Sequence, residues 1–522
     1  MPPTAEAAPA QRRVTPPRSI RNVLVNWGSF AFAVAVNFFL SPFVVHQLGN
    51  TAYGTWVLLG SLVGYMGLLD LGVRSAVMRY IARHHARAED AEAGRVASAG
   101  LVIFGVVGLV ALALSAVFAV FLDHWFRIPA DTVGVARLVV LVGGLSVATS
   151  LVSGVFGGAV ASLQRFDLDG IMTIAVTALR ALAVVAALRA GWGLLGLSVI
   201  QLGATALRGG VQYVLTRRLY PQLVFRIRGL ARSEIAKIFS FSVYSSLLHV
   251  SGMLIFSADS VVIGTFLPVA TITFFAIASN LTDYTRSIFS TISMTVTPRA
   301  SALEGVGALD EVERVLLKAG TIASLVTLPI TITFVLRGAT FIALWMGPSY
   351  GPTSGPLLIV LAVAISFAAA RQVVMSAMIG MNRHRKLAPF YLAEGLINLA
   401  QSVYWVRAIG LLGVALGTAV PNLVTSLLVI PWLVHLVLGT PKRDVWLAFW
   451  LRPLAAMLPF ALATYLIEQT WRPHGLAGFF AGVAVALPLA AAGGWFIALP
   501  ELDRRGFRRT IRDGISGLAG RR

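Results

Sequence analysis

Apolar residues run along this chain in stretches of about 20 to 30, broken by short polar segments where arginines collect. A helix rises 1.5 Å per residue, so about 20 mainly apolar residues cross the hydrocarbon core of a bilayer. By that measure the pattern predicts fourteen spans: 22–46, 53–73, 98–122, 136–160, 171–189, 193–215, 238–267, 270–296, 319–337, 355–380, 389–407, 410–436, 446–467 and 476–499. Very short turns at Gly49–Asn50, Gly191–Gly193 and Ile409–Gly410 make the helices on either side antiparallel neighbours. The predicted class is an all-α integral membrane protein.

Composition agrees. Of 522 residues, 57% are hydrophobic and 12% charged, about half the charged fraction that a water-soluble surface carries. The net charge of +20 is not that of a nucleic-acid binder, because the basic residues sit in clusters between apolar runs and no nucleic-acid motif accompanies them. With the N-terminus inside, alternate loops take nearly all the basic residues, including Arg74–Arg95, Arg217–Lys237, Arg383–Lys386 and the C-terminal tail. Only Arg127, Arg137, Arg189, Arg337, Arg407 and Arg472 fall outside. The expected location is therefore the bacterial inner membrane, multi-pass, with both termini cytoplasmic. The first residues are rich in Pro, Ala and Arg, without the apolar core of a signal peptide. There is no cysteine, which removes disulfides, thiolate metal sites and cysteine nucleophiles.

Two parts of the chain echo each other at a spacing of about 218 residues. Residues 41–62 align without gaps on 259–280, and Gly193-Leu194-Leu195-Gly196 returns as Gly410-Leu411-Leu412-Gly413. Six spans restore orientation, so spans 1–6 and 7–12 read as parallel repeats about an axis along the membrane normal, with a substrate site between the lobes. The expected organisation is a basic tail (1–21), an N-lobe (22–215), a basic linker (216–237) and a C-lobe (238–436). Two further helices (437–499) and a basic tail (500–522) follow.

Several charges lie where lipid would penalise them. Arg180, Arg208, Arg286 and Arg371 fall inside predicted spans, and an intramembrane arginine should face protein or a water-filled cavity. A chamber of guanidiniums suits an anionic group, since Arg grips phosphate bidentately. Arg208 and Arg371, towards the inner ends of their helices, also have the option of snorkelling to the interface. Asp283 stands three residues before Arg286, the spacing of a local ion pair. Asp259 and Asp283 are the candidates for proton or sodium coupling or for latching the two lobes, and Asp259 also has the option of an arginine partner. Asp70 reads as a hinge or cap, Glu394 as interfacial, and His249 as a packing residue. His84 and His85 have no third ligand nearby, so no metal site is expected.

No GxxxxGK[ST], HExxH or GxSxG occurs, and the four lysines are scattered. An ATP-hydrolysing pump and the common hydrolases are thereby excluded, and transport without a cofactor is the natural reading. Residues 49–83 run GNTAYGTWVLLGSLVGYMGLLDLGVRSAVMRYIAR. Tyr53, Gly54 and Trp56, then Leu68, Leu69, Asp70, Leu71 and Gly72 with Arg74 and Arg79 behind them, resemble the amino-terminal signature of the Wzx-type polysaccharide-export flippases. These belong to the multidrug/oligosaccharidyl-lipid/polysaccharide exporter superfamily. The GLLG openings and the ADSVVIGTFLP stretch around Asp259 are similar to that family too.

The resemblance implies a two-lobed, fourteen-helix exporter that is not an enzyme. It implies alternating-access movement of undecaprenyl-diphosphate-linked oligosaccharide for surface polysaccharides such as lipopolysaccharide or exopolysaccharide. Membrane lipid, a polysaccharide polymerase and chain-length machinery are the implied partners. The arginine roles come from burial logic and not from the resemblance. The alternative is a multidrug cation antiporter of the same superfamily, which would favour an acidic cavity over this basic one.

Overall fold

The computed structural model describes residues 19–226 and 250–499, apart from Leu71, Phe256 and Arg472. The terminal tails, most of the basic linker, the start of the seventh predicted span and His249 lie outside the described residues. Among the described residues there are helices and turns and no strand. Ten helical runs are long and apolar enough to cross a membrane.

The run Val25–Ala86 takes in the first two predicted spans, and the seventh begins outside the described residues. Helix α1 (Ser19–Met66) merges two predicted spans, although Gly49 at φ 75° breaks its helical geometry. Gly72, also left-handed at φ 74°, then turns the chain into the short basic helix α2 (Val73–Ala86). Helices α3 (Asp90–Trp125), α4 (Ala130–Ser162), α5 (Phe166–Arg189) and α6 (Gly193–Leu219) follow. Beyond the linker come α7 (Ala258–Phe266) and α8 (Ala270–Met294), the latter of spanning length but studded with polar side chains. Helices α9 (Val296–Gly305), α10 (Leu309–Met346), α11 (Gly351–Gly380) and α12 (Ala388–Ile409) continue the chain. Three long runs close it: α13 (Leu411–Leu438), α14 (Lys442–Thr470) and α15 (Leu476–Ala498). Gly193 and Gly410, the matched glycines of the two GLLG sequences, both take positive φ (54° and 61°) where their helices begin.

The chain divides into two compact units. The first holds residues up to Met253 together with Ile263–Thr273; the second holds Leu254–Val262 and everything after Phe274. In the first unit α4 packs on α3 and α6, and α1 on α5. Small residues bring these backbones close: a Cβ on Gly108 would sit 3.2 Å from the Ala148 Cβ. In the second unit α10 packs on α11 and α12 on α13, while α14 and α15 pack on each other and on α10. The outward faces are apolar, with Phe39 and Leu182 each 70% exposed and Leu109 68%. A soluble protein does not leave such faces in water, so lipid covers them.

The segment Ile263–Thr273 seats against α1 for a reason visible in the sequence. Gly54 has no side chain, and a Cβ there would fall 2.0 Å from the Val269 carbonyl oxygen. Next to it the Thr273 hydroxyl donates to the Asn50 carbonyl at 2.7 Å. The glycine of the YG-x-W signature is thus a notch that receives another backbone.

Candidate functional site

In the first unit, α6 carries Gln201, Thr205, Arg208 and Gln212 at steps of four, three and four residues, which places them on one helix face. Opposite stands α4, whose Ser146, Ser150, Gly154 and Gly157 leave room between the helices. Two adjoining cavities occupy that space. The larger, about 430 Å³, is lined by Trp56, Asp70, Arg74, Ser146, Gln201 and Thr205 among others. The smaller, about 250 Å³, is lined by Arg74, Arg165, Asp169, Arg208 and Gln212. Arg74, Ser150 and Thr205 belong to both, so the two form one groove.

Carboxylates hold the arginines of the groove. Arg208 donates to Asp169 at 2.8 Å, both side chains being well over a third exposed. Asp70 accepts from the Arg74 backbone N–H at 3.2 Å, capping the first turn of α2, and its other oxygen lies 3.7 Å from Arg74 Nε. The Arg74 guanidinium fits because position 154 is glycine: a Cβ there would stand 2.9 Å from its Nε and Nη2. Arg165 is fixed more firmly, donating at 3.0 Å to the buried Asp167. Arg180, half-buried on α5, donates to Gln201 Oε1 (3.1 Å) and to Asn37 Oδ1 (3.0 Å) on α1. It lies behind the groove, orienting one of its lining amides.

The other four sequence candidates lie in the second unit. Arg286 pairs with Asp283 one turn away at 2.9 Å, with Asp283 half exposed. Arg371 and Glu394 are buried together, 3% and 1% exposed at the side chain, with contacts of 2.6 and 2.7 Å. Arg371 also lies over the Tyr391 ring at 5.1 Å and donates to the Asn422 side-chain oxygen at 3.0 Å. Glu394 is therefore a buried partner and not an interfacial residue, and Arg371 does not reach the interface. Asp259 is 6% exposed and takes two contacts from the Thr418 hydroxyl, at 2.9 and 3.1 Å. Asn398 donates to Thr418 Oγ1 (3.3 Å) and to the Ile255 carbonyl (3.2 Å). Ser402 donates to Asn398 Oδ1 (3.4 Å) and to the Val414 carbonyl (3.5 Å). Among the described residues no arginine or lysine reaches the Asp259 carboxylate. A carboxylate so buried needs a proton or a cation as its counter-charge.

Sequence reasoning left out Trp56, Arg74 and Gln201 as site residues. The face-forming spacing of Gln201, Thr205, Arg208 and Gln212 was the available signal, because four polar residues on one face of a membrane helix must look inward.

The family model described as "Polysaccharide biosynthesis protein" matches residues 19–304, more than half the chain. The chain belongs to this family. The "Uncharacterized membrane protein EpsK" of Bacillus subtilis (strain 168) is 24% identical over 83% of this chain and 86% of its own length. The "Putative O-antigen transporter" of Shigella flexneri is 21% identical over 78% of this chain and 96% of its own. Among solved structures, the "Lipid II flippase MurJ" in its inward closed conformation superposes with a TM-score of 0.70 at 12% identity, covering 91% of this chain and 98% of that one. An inward-facing multidrug resistance MATE transporter of the MOP superfamily superposes at 0.64 with 16% identity, covering 79% and 97%. At these identities the superpositions establish a shared transporter fold.

Proposed function

We propose that this polysaccharide biosynthesis protein is a flippase that carries a polyprenyl-diphosphate-linked oligosaccharide across the membrane by alternating access. The observation that carries the reading is a groove with arginines on its wall, enclosed in a helical unit whose outer faces are apolar. Such a groove hosts an anionic sugar-phosphate head while the polyprenyl chain stays in lipid. The relatives named as O-antigen transporter and lipid II flippase support the same substrate chemistry. The basic-residue asymmetry supports an orientation with both termini in the cytoplasm.

Arg208 serves as a direct phosphate ligand, and Arg180 supports the groove from behind. Arg286, paired with Asp283, is a candidate anion ligand within the second unit. Arg371 belongs to the scaffold, since its charge is consumed by Glu394. Asp259, wrapped by Thr418 and close to the Asn398–Ser402 pair, is the coupling site for a proton or sodium ion. Asp259→Asn is expected to abolish export while the protein remains inserted and folded. Export by that variant at wild-type rate, and with the wild-type response to collapsed ion gradients, would remove Asp259 from coupling.

The deciding experiment is deletion of the gene, with lipid-linked oligosaccharide assayed in each leaflet. Accumulation on the cytoplasmic face with loss of surface polymer is expected, and the same cells should keep their drug resistance. Normal polymer with new sensitivity to cationic drugs would overturn the reading in favour of an antiporter.

A further inference from the structure

The groove of the first unit is chemically divided along its length. At one end Arg74 and Arg208 share the smaller cavity. Their carboxylate partners, Asp70 and Asp169, are partly exposed, and exposed ion pairs of this kind are worth about 1 kcal/mol or less. A diphosphate, with more charge and more acceptor oxygens, displaces them readily. Arg165 does not join in, because Asp167 is buried against it. At the other end the wall changes to Trp56, Gln201 and the hydroxyls of Ser146, Ser198 and Thr205. An indole, an amide and hydroxyls lining one cavity are the chemistry that recognises a sugar. Gln201 cannot turn its carbonyl inward, because Arg180 holds that oxygen at 3.1 Å; the amide nitrogen, with its two donors, is what it has to offer.

Size limits what enters. A cavity of about 430 Å³ lies at the low end of the roughly 300–1,000 Å³ range of small-molecule pockets, room for one or two sugar rings and not for a repeat unit. Arg74 and Thr205 border both compartments, so a sugar joined to a diphosphate can fill the two at once.

We infer that Arg74 and Arg208 bind the diphosphate of the lipid-linked substrate, and that Trp56 and Gln201 read the sugar attached directly to it. This rests on the flippase reading and makes it more specific: distal sugars contribute nothing in this groove. Arg74, Trp56 and Gln201 thus become specificity residues alongside Arg208.

The test uses the purified full-length chain in detergent and two probes, farnesyl diphosphate and the same lipid carrying a single N-acetylhexosamine, with binding followed by native mass spectrometry. The wild type should bind the sugar-bearing probe more tightly than the bare one. Arg208→Gln and Arg74→Gln should weaken both probes by about ten- to a hundred-fold, as expected for loss of a charge-assisted hydrogen bond. Trp56→Ala and Gln201→Ala should leave the bare diphosphate within about two-fold and erase the sugar's extra affinity, with Trp56→Phe restoring part of it. Retention of bare-probe binding also shows that the Trp56 and Gln201 variants are folded, and a wild-type thermal midpoint in detergent does so for the Arg74 and Arg208 variants. Equal binding of both probes by the wild type, or an undiminished sugar increment in Trp56→Ala, overturns the inference. The flippase reading fails separately, if the wild-type gene does not restore surface polymer to the deletion strain.

Discussion

Burying Arg371 against Glu394 is tolerable because each cancels the other's charge and Asn422 and Tyr391 occupy the remaining space. Removing only the acid leaves a cation with nowhere to go. Glu394→Gln should therefore destabilise the second unit by about 3–5 kcal/mol, seen as a lower thermal midpoint in detergent. The double variant Arg371→Met/Glu394→Leu should recover most of that loss. If the single and double variants melt alike, the pair is not what holds these helices. This scale was only partly legible in the sequence. The Asp283–Arg286 pair could be read from three-residue spacing, because a helix brings i and i+3 together. The Arg371–Glu394 and Arg180–Asn37 pairs join different helices, and spacing along the chain carries no signal for which helices touch.

Single elements in this protein are shaped by where they must let something approach. The YG-x-W and LLDLG sequences illustrate this: Gly54 admits the Val269 carbonyl, Trp56 reaches the groove, Asp70 caps α2 and Gly72 turns the chain. Sequence alone read Asp70 as a hinge or cap, because its partner is four residues away, but offered no reason for Gly54, whose partner Val269 lies more than two hundred residues on. Gly54→Val should expel Ile263–Thr273 from its seat and cut surface polymer output by about ten-fold or more, whereas Gly105→Ala, with open space around its Cβ, should be silent. Quantifying exported polymer at matched protein levels separates the two. Equal output from both would mean that the seat is dispensable.

For the molecule as a whole, the apolar runs foretold a helical membrane protein, and the ten spanning helices and transporter fold agree with it. The junction between the first two predicted spans is present too, as the break at Gly49 (φ 75°) inside α1. The closing helices α14 and α15 are likewise tied in by polar contacts that apolar patterning hides. Arg337, 2% exposed, donates from Nε to Glu468 at 2.7 Å and lies over the Phe479 ring at 4.5 Å. Thr340 donates to the same carboxylate. Glu468→Gln should weaken this tie by about 3 kcal/mol and raise amide exchange in α14 and α15, with α12 and α13 unchanged. Uniform protection across all four helices in the variant would assign their docking to packing alone.

The seat at Gly54 bears on how such a chain came to be and how it can be taken apart. The repeat at about 218 residues invites the picture of two half-genes fused end to end. Yet the first unit is completed by Ile263–Thr273, which lies within the second half of the sequence. A gene cut at the linker would yield a first product with an empty notch and a second that has kept its filling. Two such fragments would each be incomplete, and co-expressed they would have to find one another by returning that segment to Gly54.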